Sequence, residues 1–328
     1  MNNHIHVAFA SDDNYSEPLG VAIYSLVANL DKKKFANIYV LDGGISEQNK
    51  SKIVDISFKN FKVKFIYVDP KLYNEYPLYN GDNHTIATYY RLKLPSLFPN
   101  LGKIVYLDCD VVVNADISKM YSINIDDYLI AAIEEPFVIN RDRLEKIGIN
   151  KFSSYFNAGV GIFNLKKMRE LDFEKKCYAH MIKYRDNLLY QDQDILNAIS
   201  ENMWLPLSPK YNSMMYFFMY RFKGKYYFYN KKDIRESIKY PYIIHYNLHP
   251  KPWTKGCKDK RLYLYSKYLK NTKFKKQAFS ILIYMRYILR SIPLEWTFEM
   301  FKNYIKKYTP HIYKLLKYLK RLIVMFKK

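Results

Sequence analysis

The run KIVYLDCDVVV, Lys103 to Val113, carries two carboxylates, Asp108 and Asp110, with one small residue between them. The rest of the run is apolar and β-branched, the composition of a buried strand. Burying one unpaired carboxylate is costly, and two close together cost more, so positive charge is expected beside them. On a strand, residues two apart face the same side, which turns Asp108 and Asp110 one way and Cys109 the other. Two such carboxylates suit a hard divalent cation, Mg²⁺ or Mn²⁺, that keeps open positions for phosphate oxygens. An isolated Asp-x-Asp is equally the sequence of two solvated acids just past a strand. His245 closes the apolar run YIIH; an imidazole there can join the same ion or serve the structure alone. Lys251, in HYNLHPKPWTKG, offers a point charge for a phosphate or a solvated loop lysine. In YQDQDILN, Asp192 and Asp194 flank Gln193 at a helix start, where capping and the helix dipole favour acids. Those effects account for one or two acids and less well for the whole cluster with Gln191. Asn157, before Ala158-Gly159, can hydrogen-bond a sugar or cap a turn.

Several apolar runs could position these groups. Strands are expected at His6–Ala10, Asn37–Leu41, Lys62–Val68, Ala158–Leu165 and Tyr242–His245, in addition to Lys103–Val113. Helices are expected at Glu17–Leu30, from Ser46 onward with a partial capping signature, at Thr85–Leu94 carrying Arg91, at Lys166–Asn187 and at Gln191–Ile199. Strands alternating with helices predict an α/β fold with a mostly parallel sheet covered on both faces. In such sheets ligands bind beyond the carboxyl ends of the strands. Asp12, Asp13 and Asn14, the pair Asp108 and Asp110, and His245 all stand at such ends.

The chain has 328 residues, 49% of them hydrophobic, enough for one large α/β domain with additions. Three separated cysteines form neither a disulfide framework nor a metal-ligand spacing, which fits a reducing, cytoplasmic setting. The N-terminal MNNHIHVAFASDDN lacks the basic and apolar regions of a signal peptide, and no window of about 20 residues is free of charge, so no membrane span is expected. The net charge of +22 is uneven: residues 261–328 hold 17 basic and 2 acidic residues, against 36 and 29 in residues 1–260. Two domains follow, a core over 1–260 and a basic, aromatic, helical tail over 261–328. In HIYKLLKYLKRLIVMFKK, residues 311–328, apolar side chains recur at helical spacing among lysines and Arg321, a pattern suited to an anionic membrane surface. The charge also admits a nucleic-acid-binding protein, but no nucleic-acid module is present and the basic residues sit in the tail, so none is expected as partner. Paired aspartates would also serve a nucleotidyltransferase.

Seven stretches, FASDDNY, VLDGGISEQN, TYYRLKL, VYLDCDVVV, YFNAGVGIFNLKK, YQDQDILN and HYNLHPKPW, together resemble glycosyltransferase family 8, most nearly its bacterial lipooligosaccharide α-1,4-galactosyltransferases. They occur in the family's order and cover residues 5–260 in outline. The resemblance implies a GT-A fold, a Rossmann-like mixed sheet with flanking helices. It also implies a UDP-hexose donor, galactose or glucose, a bound Mn²⁺ or Mg²⁺, and transfer with retention to a glycan or glycolipid acceptor. By the same resemblance, Asp108, Asp110 and His245 are metal ligands. Ala10, Asp12 and Asn14 lie on the uridine side, with Cys109 among the donor contacts, and Lys251 reaches the diphosphate. Arg91, Asn157, Ala158 and Gly159 surround the donor sugar, and Gln193 and Asp192 are the catalytic pair. The family's basic tail implies peripheral attachment to the inner face of the cytoplasmic membrane, in lipopolysaccharide or other surface-glycan synthesis. The sequence departs from the family where a Gly-Pro-Ala is expected after the histidine: Leu248-His249-Pro250 stands there. A further departure is His84, in place of an apolar residue.

Overall fold

The computed structural model describes residues 3–78, 85–135, 141–220, 226–254, 256–257, 259–274 and 306. Among the described residues ten strands form two sheets: β1 His4–Ser11, β2 Phe35–Asp42, β3 Phe61–Tyr67, β4 Ile104–Leu107, β5 Val111–Val113, β6 Ile130–Glu134, β7 Phe156–Phe163, β8 Trp204–Pro206, β9 Ser213–Met214 and β10 Ile243–His245. The larger sheet runs β3-β2-β1-β4-β7-β6-β8 and the smaller β5-β10-β9. β1 pairs parallel with both β2 and β4. The chain therefore winds outward to β3 and returns on the other side of β1, which opens a crevice between the carboxyl ends of β1 and β4. β7 runs antiparallel to β4, so its N-terminal end meets the carboxyl end of β4, pairing Leu107 with Val160. The sheet is thus mixed, a GT-A arrangement: mostly parallel as expected, with β7 alone running against the other strands.

Side chains alternate across the large sheet. Val7, Phe9, Val105, Leu107 and Ile162 enter one core with the helix Ser16–Asn29, while Ala8, Tyr106 and Phe163 enter a second core on the opposite face. β7 is buried along its whole length, as a central strand covered on both faces must be. Edge strand β3 alternates half-buried positions with exposed Lys62 and Lys64, which discourages pairing with another chain.

Where the elements differ from expectation, the causes are local. The expected helix Lys166–Asn187 breaks at Asp172, whose φ of 50° is left-handed, into Leu165–Glu170 and Phe173–Tyr184. Thr85–Leu94 is mostly a 3₁₀ helix, Ile86–Lys93. β6, β8 and β9 are too short for periodicity to have announced them.

A compact unit spans Met1–Lys276. Residues 261–274, grouped with the tail by charge, pack within it. The helix Leu262–Leu269 buries Leu264, Tyr265, Tyr268 and Leu269, and Asn29 donates to the Tyr268 hydroxyl at 2.7 Å. Buried Arg261 donates to the Ser213 and Met214 carbonyls at the start of the small sheet and pairs with Asp259 at 2.7 Å. A second unit spans Gln277–Lys328; the amphipathic run 311–328 lies outside the described residues, as does His84. No helix among the described residues is long and apolar enough to cross a membrane.

Candidate active site

The opening motif is not one strand. β4 ends at Leu107 in the large sheet and β5 begins at Val111 in the small one, so Asp108, Cys109 and Asp110 form the crossover between two sheets. Tertiary pairing decides this. The Asp108 amide donates to the Gly159 carbonyl of β7 at 2.8 Å, whereas Asp110 accepts at its own carbonyl from the Tyr246 amide beyond β10 at 3.0 Å. The carboxylates still converge. One oxygen each from Asp108 and Asp110 and one nitrogen of His245 lie within 4.8 Å of one another. All three residues line a cleft of about 340 Å³ at the β1–β4 crevice.

The donor set fits a divalent ion. Two carboxylate oxygens and an imidazole suit Mn²⁺ or Mg²⁺. Asp110 Oδ1 is buried without a hydrogen-bond donor among the described residues and faces His245 Nε2 at 3.1 Å. Gly159 closes the cradle: a Cβ there would stand 2.4 Å from both Asp108 Oδ2 and His245 Cε1. Only a residue without a side chain leaves that space open.

Each aspartate has its own cation. Lys251 Nζ reaches Asp110 Oδ2 at 2.6 Å and the Tyr246 carbonyl at 2.8 Å. Burial raises the affinity of Asp110 for a proton, but Lys251 and His245 overcome it and hold the carboxyl well below the usual carboxylate range. Arg91, equally buried, donates to Asp108 Oδ1 at 2.7 Å and to the Ala158 carbonyl at 2.8 Å, and pairs with Asp192 Oδ2 at 3.0 Å. Its guanidinium also stacks 4.2 Å over Tyr106. Burial opposes its charge, yet Asp108 and Asp192 raise its pKa further.

The helix Gln191–Ile199 delivers Asp192 and Gln193 to the cleft from its first turn. Asp192 accepts from the Thr88 hydroxyl. Gln193 Oε1 accepts from the Ala158 amide at 3.0 Å and from Asn157 Nδ2 at 3.3 Å. Gln191 starts the helix with φ 49° and also lines the cleft. At the end of β1, Ala10, Ser11 and Asp12 form one wall. Cys109 Sγ donates to the Ala10 carbonyl at 3.1 Å, and burial raises its thiol pKa well above the ordinary value. Asp12 caps the turn Asp13–Tyr15 by accepting from the Tyr15 amide at 3.2 Å.

Of the fourteen residues singled out from sequence, thirteen line this cleft: Ala10, Asp12, Arg91, Asp108, Cys109, Asp110, Asn157, Ala158, Gly159, Asp192, Gln193, His245 and Lys251. Asn14 is the exception, exposed on the 3₁₀ turn and outside the lining. Sequence reading passed over Tyr15, Thr88, Glu135 and Tyr216, which line the same cleft. Glu135 had a signal: the apolar run IAAI ends in two acids, as VYL does before Asp108. Buried Asn212, behind His245, had none.

The chain as a whole has relatives among known proteins. Residues 6–257 match the model of the family described as Glycosyl transferase family 8. General stress protein A of Bacillus subtilis is 30% identical over 275 residues, 82% of this chain and 94% of that protein. Lipopolysaccharide 1,2-glucosyltransferase of Escherichia coli is 26% identical over 287 residues, 84% and 80% of the two chains. Among solved structures, the galactosyltransferase LgtC in complex with donor and acceptor sugar analogues superposes with a TM-score of 0.76 at 29% identity, covering 84% of this chain and 98% of that one. An active-site variant of LgtC with glutamate in place of glutamine gives a TM-score of 0.75 at 28% identity and the same coverage.

Proposed function

This chain belongs to glycosyltransferase family 8, and from that premise we propose that it is a metal-dependent, retaining hexosyltransferase using a UDP-sugar. The observation that carries the reading is the Asp108–Asp110–His245 group on the floor of a cleft flanked by Arg91 and Lys251. The leaving group of such a transfer is a nucleoside diphosphate, which departs as an anion. A divalent ion held by these three residues supplies Lewis-acid stabilisation of the charge that develops there.

The chain's own residues do the rest. Lys251 neutralises Asp110 and holds its ammonium inside the cleft, within the lining that the diphosphate would meet. Arg91 holds Asp108 and Asp192 together, which orients the carboxylate of Asp192 for sugar hydroxyls. Gln193 presents an amide beneath the sugar. Its oxygen already accepts two hydrogen bonds, and an amide so engaged is a poor covalent nucleophile. Attack by the acceptor hydroxyl on the face the diphosphate leaves is therefore favoured over double displacement, with Gln193 stabilising positive character on the sugar. The glutamine-to-glutamate active-site variant solved for LgtC supports assigning a glutamine to the centre of the reaction.

The acceptor is a glycan or glycolipid of the cell surface, a reading supported by the lipopolysaccharide glucosyltransferase relative. The basic run 311–328 holds the enzyme to an anionic membrane. Calorimetry of UDP with and without Mn²⁺ tests the site. Binding that needs the ion and is lost in Asp110→Asn is expected; equal binding with and without Mn²⁺ would exclude the metal reading. Truncation tests the tail, and it belongs after Lys276 because residues 261–274 are part of the compact unit. That variant should lose binding to anionic vesicles while keeping UDP binding; unchanged vesicle binding would refute the assignment.

A further inference from the structure

His245 can offer a lone pair towards Asp108 and Asp110 only if its proton sits on Nδ1 rather than Nε2. A line of buried amides settles which. The Gly159 amide, which can only donate, points at Asn157 Oδ1 at 3.1 Å. On its other side, Asn157 Nδ2 donates to Glu135 Oε2 at 2.9 Å. Two neighbours that cannot exchange donor for acceptor thus fix the Asn157 amide. Its oxygen then accepts from Asn212 Nδ2 at 2.8 Å, which turns Asn212 Oδ1 towards His245 Nδ1 at 3.0 Å. An acceptor there requires the proton on Nδ1 and frees Nε2, 3.1 Å from Asp110 Oδ1. Asn212 is wholly buried, and both ends of its amide are committed to this line.

We propose that Glu135, Asn157 and Asn212 form a hydrogen-bonded relay that sets the tautomer and orientation of His245 for a divalent ion, with Asn212 as the positioning residue. The same Asn157 amide donates to Gln193 Oε1 at 3.3 Å. The relay therefore joins the metal side of the cleft to the sugar side, so that a disturbance at one is felt at the other. The proposal rests on the reading of Asp108, Asp110 and His245 as ligands of one ion.

The test is Mn²⁺ binding by the full chain in the presence of UDP, read by electron paramagnetic resonance, with spin-echo modulation reporting the imidazole nitrogen. In Asn212→Leu, which removes the acceptor, Mn²⁺ affinity should fall roughly 10- to 100-fold and the nitrogen modulation should weaken or vanish. Asn212→Asp keeps an acceptor for Nδ1–H and should retain the modulation. Because Asn212 acts through His245, the double variant Asn212→Leu/His245→Ala should bind Mn²⁺ no more weakly than His245→Ala alone. Should Asn212→Leu not fold, Asn212→Ser, whose hydroxyl is too short to reach Nδ1, carries the same comparisons. Wild-type affinity and modulation in the Leu or Ser variant, or additive losses in the double variant, would overturn the relay. Wild-type protein that binds no Mn²⁺ would instead overturn the metal site itself, and Mn²⁺ bound without nitrogen modulation would remove His245 and the relay together.

Discussion

Asp108 and Asp110 stand two residues apart, yet they belong to different halves of the molecule. Asp108 directly follows β4 of the large sheet, its side chain 26% exposed, and it shares Arg91 with Asp192 of the sugar-side helix. Asp110 directly precedes β5 of the small sheet, its side chain 11% exposed, and it meets Lys251 and His245 from the small-sheet side. The two carboxylates are tolerated together because each half of the fold contributes its own cation. The cleft is a seam between the two sheets.

If that division is right, the aspartates should not be equivalent. Asp110→Asn leaves buried Lys251 without its anion, and breaking a buried pair typically destabilises by about 3 kcal/mol. Asp108→Asn leaves Arg91 still paired with Asp192, so a loss of about 1 kcal/mol is expected. Urea unfolding of both variants measures the difference, and equal losses would break the comparison.

The sugar side should respond in turnover rather than stability. Gln193→Ala should lower kcat roughly 100-fold while the donor KM changes little, as for loss of a group that acts in the transition state. A raised KM with kcat unchanged would make Gln193 a binding residue only.

The smallest effect separates the seam from the rest of the fold under acid. Asp110 is held ionised far below the usual range, so a stability change near neutral pH must originate elsewhere. Burial, assisted by Lys183, lowers the His180 pKa from 6.5 to about 4, and its Nε2 has no hydrogen-bond partner among the described residues. The unfolded chain therefore takes up this proton first. The contribution is complete above about pH 6.5 and is lost as pH falls towards 4. Because His180 is partly exposed, a loss on the order of 1 kcal/mol is expected. His180→Phe should flatten that slope in thermal melts taken from pH 7 to 4.5; an unchanged slope would assign it to another group.

Much of the seam was legible in the sequence because its residues are chemically out of place. Two acids inside VYLDCDVVV and a histidine closing YIIH break an apolar pattern, and a broken pattern can be seen without a partner. The supporting residues break nothing. Asn212, in PKYNSM, looks like a turn, and Thr88 like any helical threonine; only the fold brings them to His245 and Asp192. The strands themselves were legible where the apolar or alternating run is long, in β1, β2, β3 and β7. The Lys103–Val113 run was legible as apolar but not as two strands, because the turn at Asp108–Asp110 depends on β7 and β10 claiming opposite ends of it. The tail boundary was displaced for a similar reason: Tyr265 and Tyr268 are core residues, but they sit among lysines that charge counting assigns to the surface.

The central claim is that the seam holds a divalent ion and a UDP-sugar together. The measurement that tests it most directly is release of UDP from a panel of UDP-hexoses, in Mn²⁺ and in EDTA. Slow release of UDP from one hexose in Mn²⁺, absent in EDTA and in Asp110→Asn, is the expected result. Release at the same rate in EDTA, or from Asp110→Asn as from wild type, would contradict it.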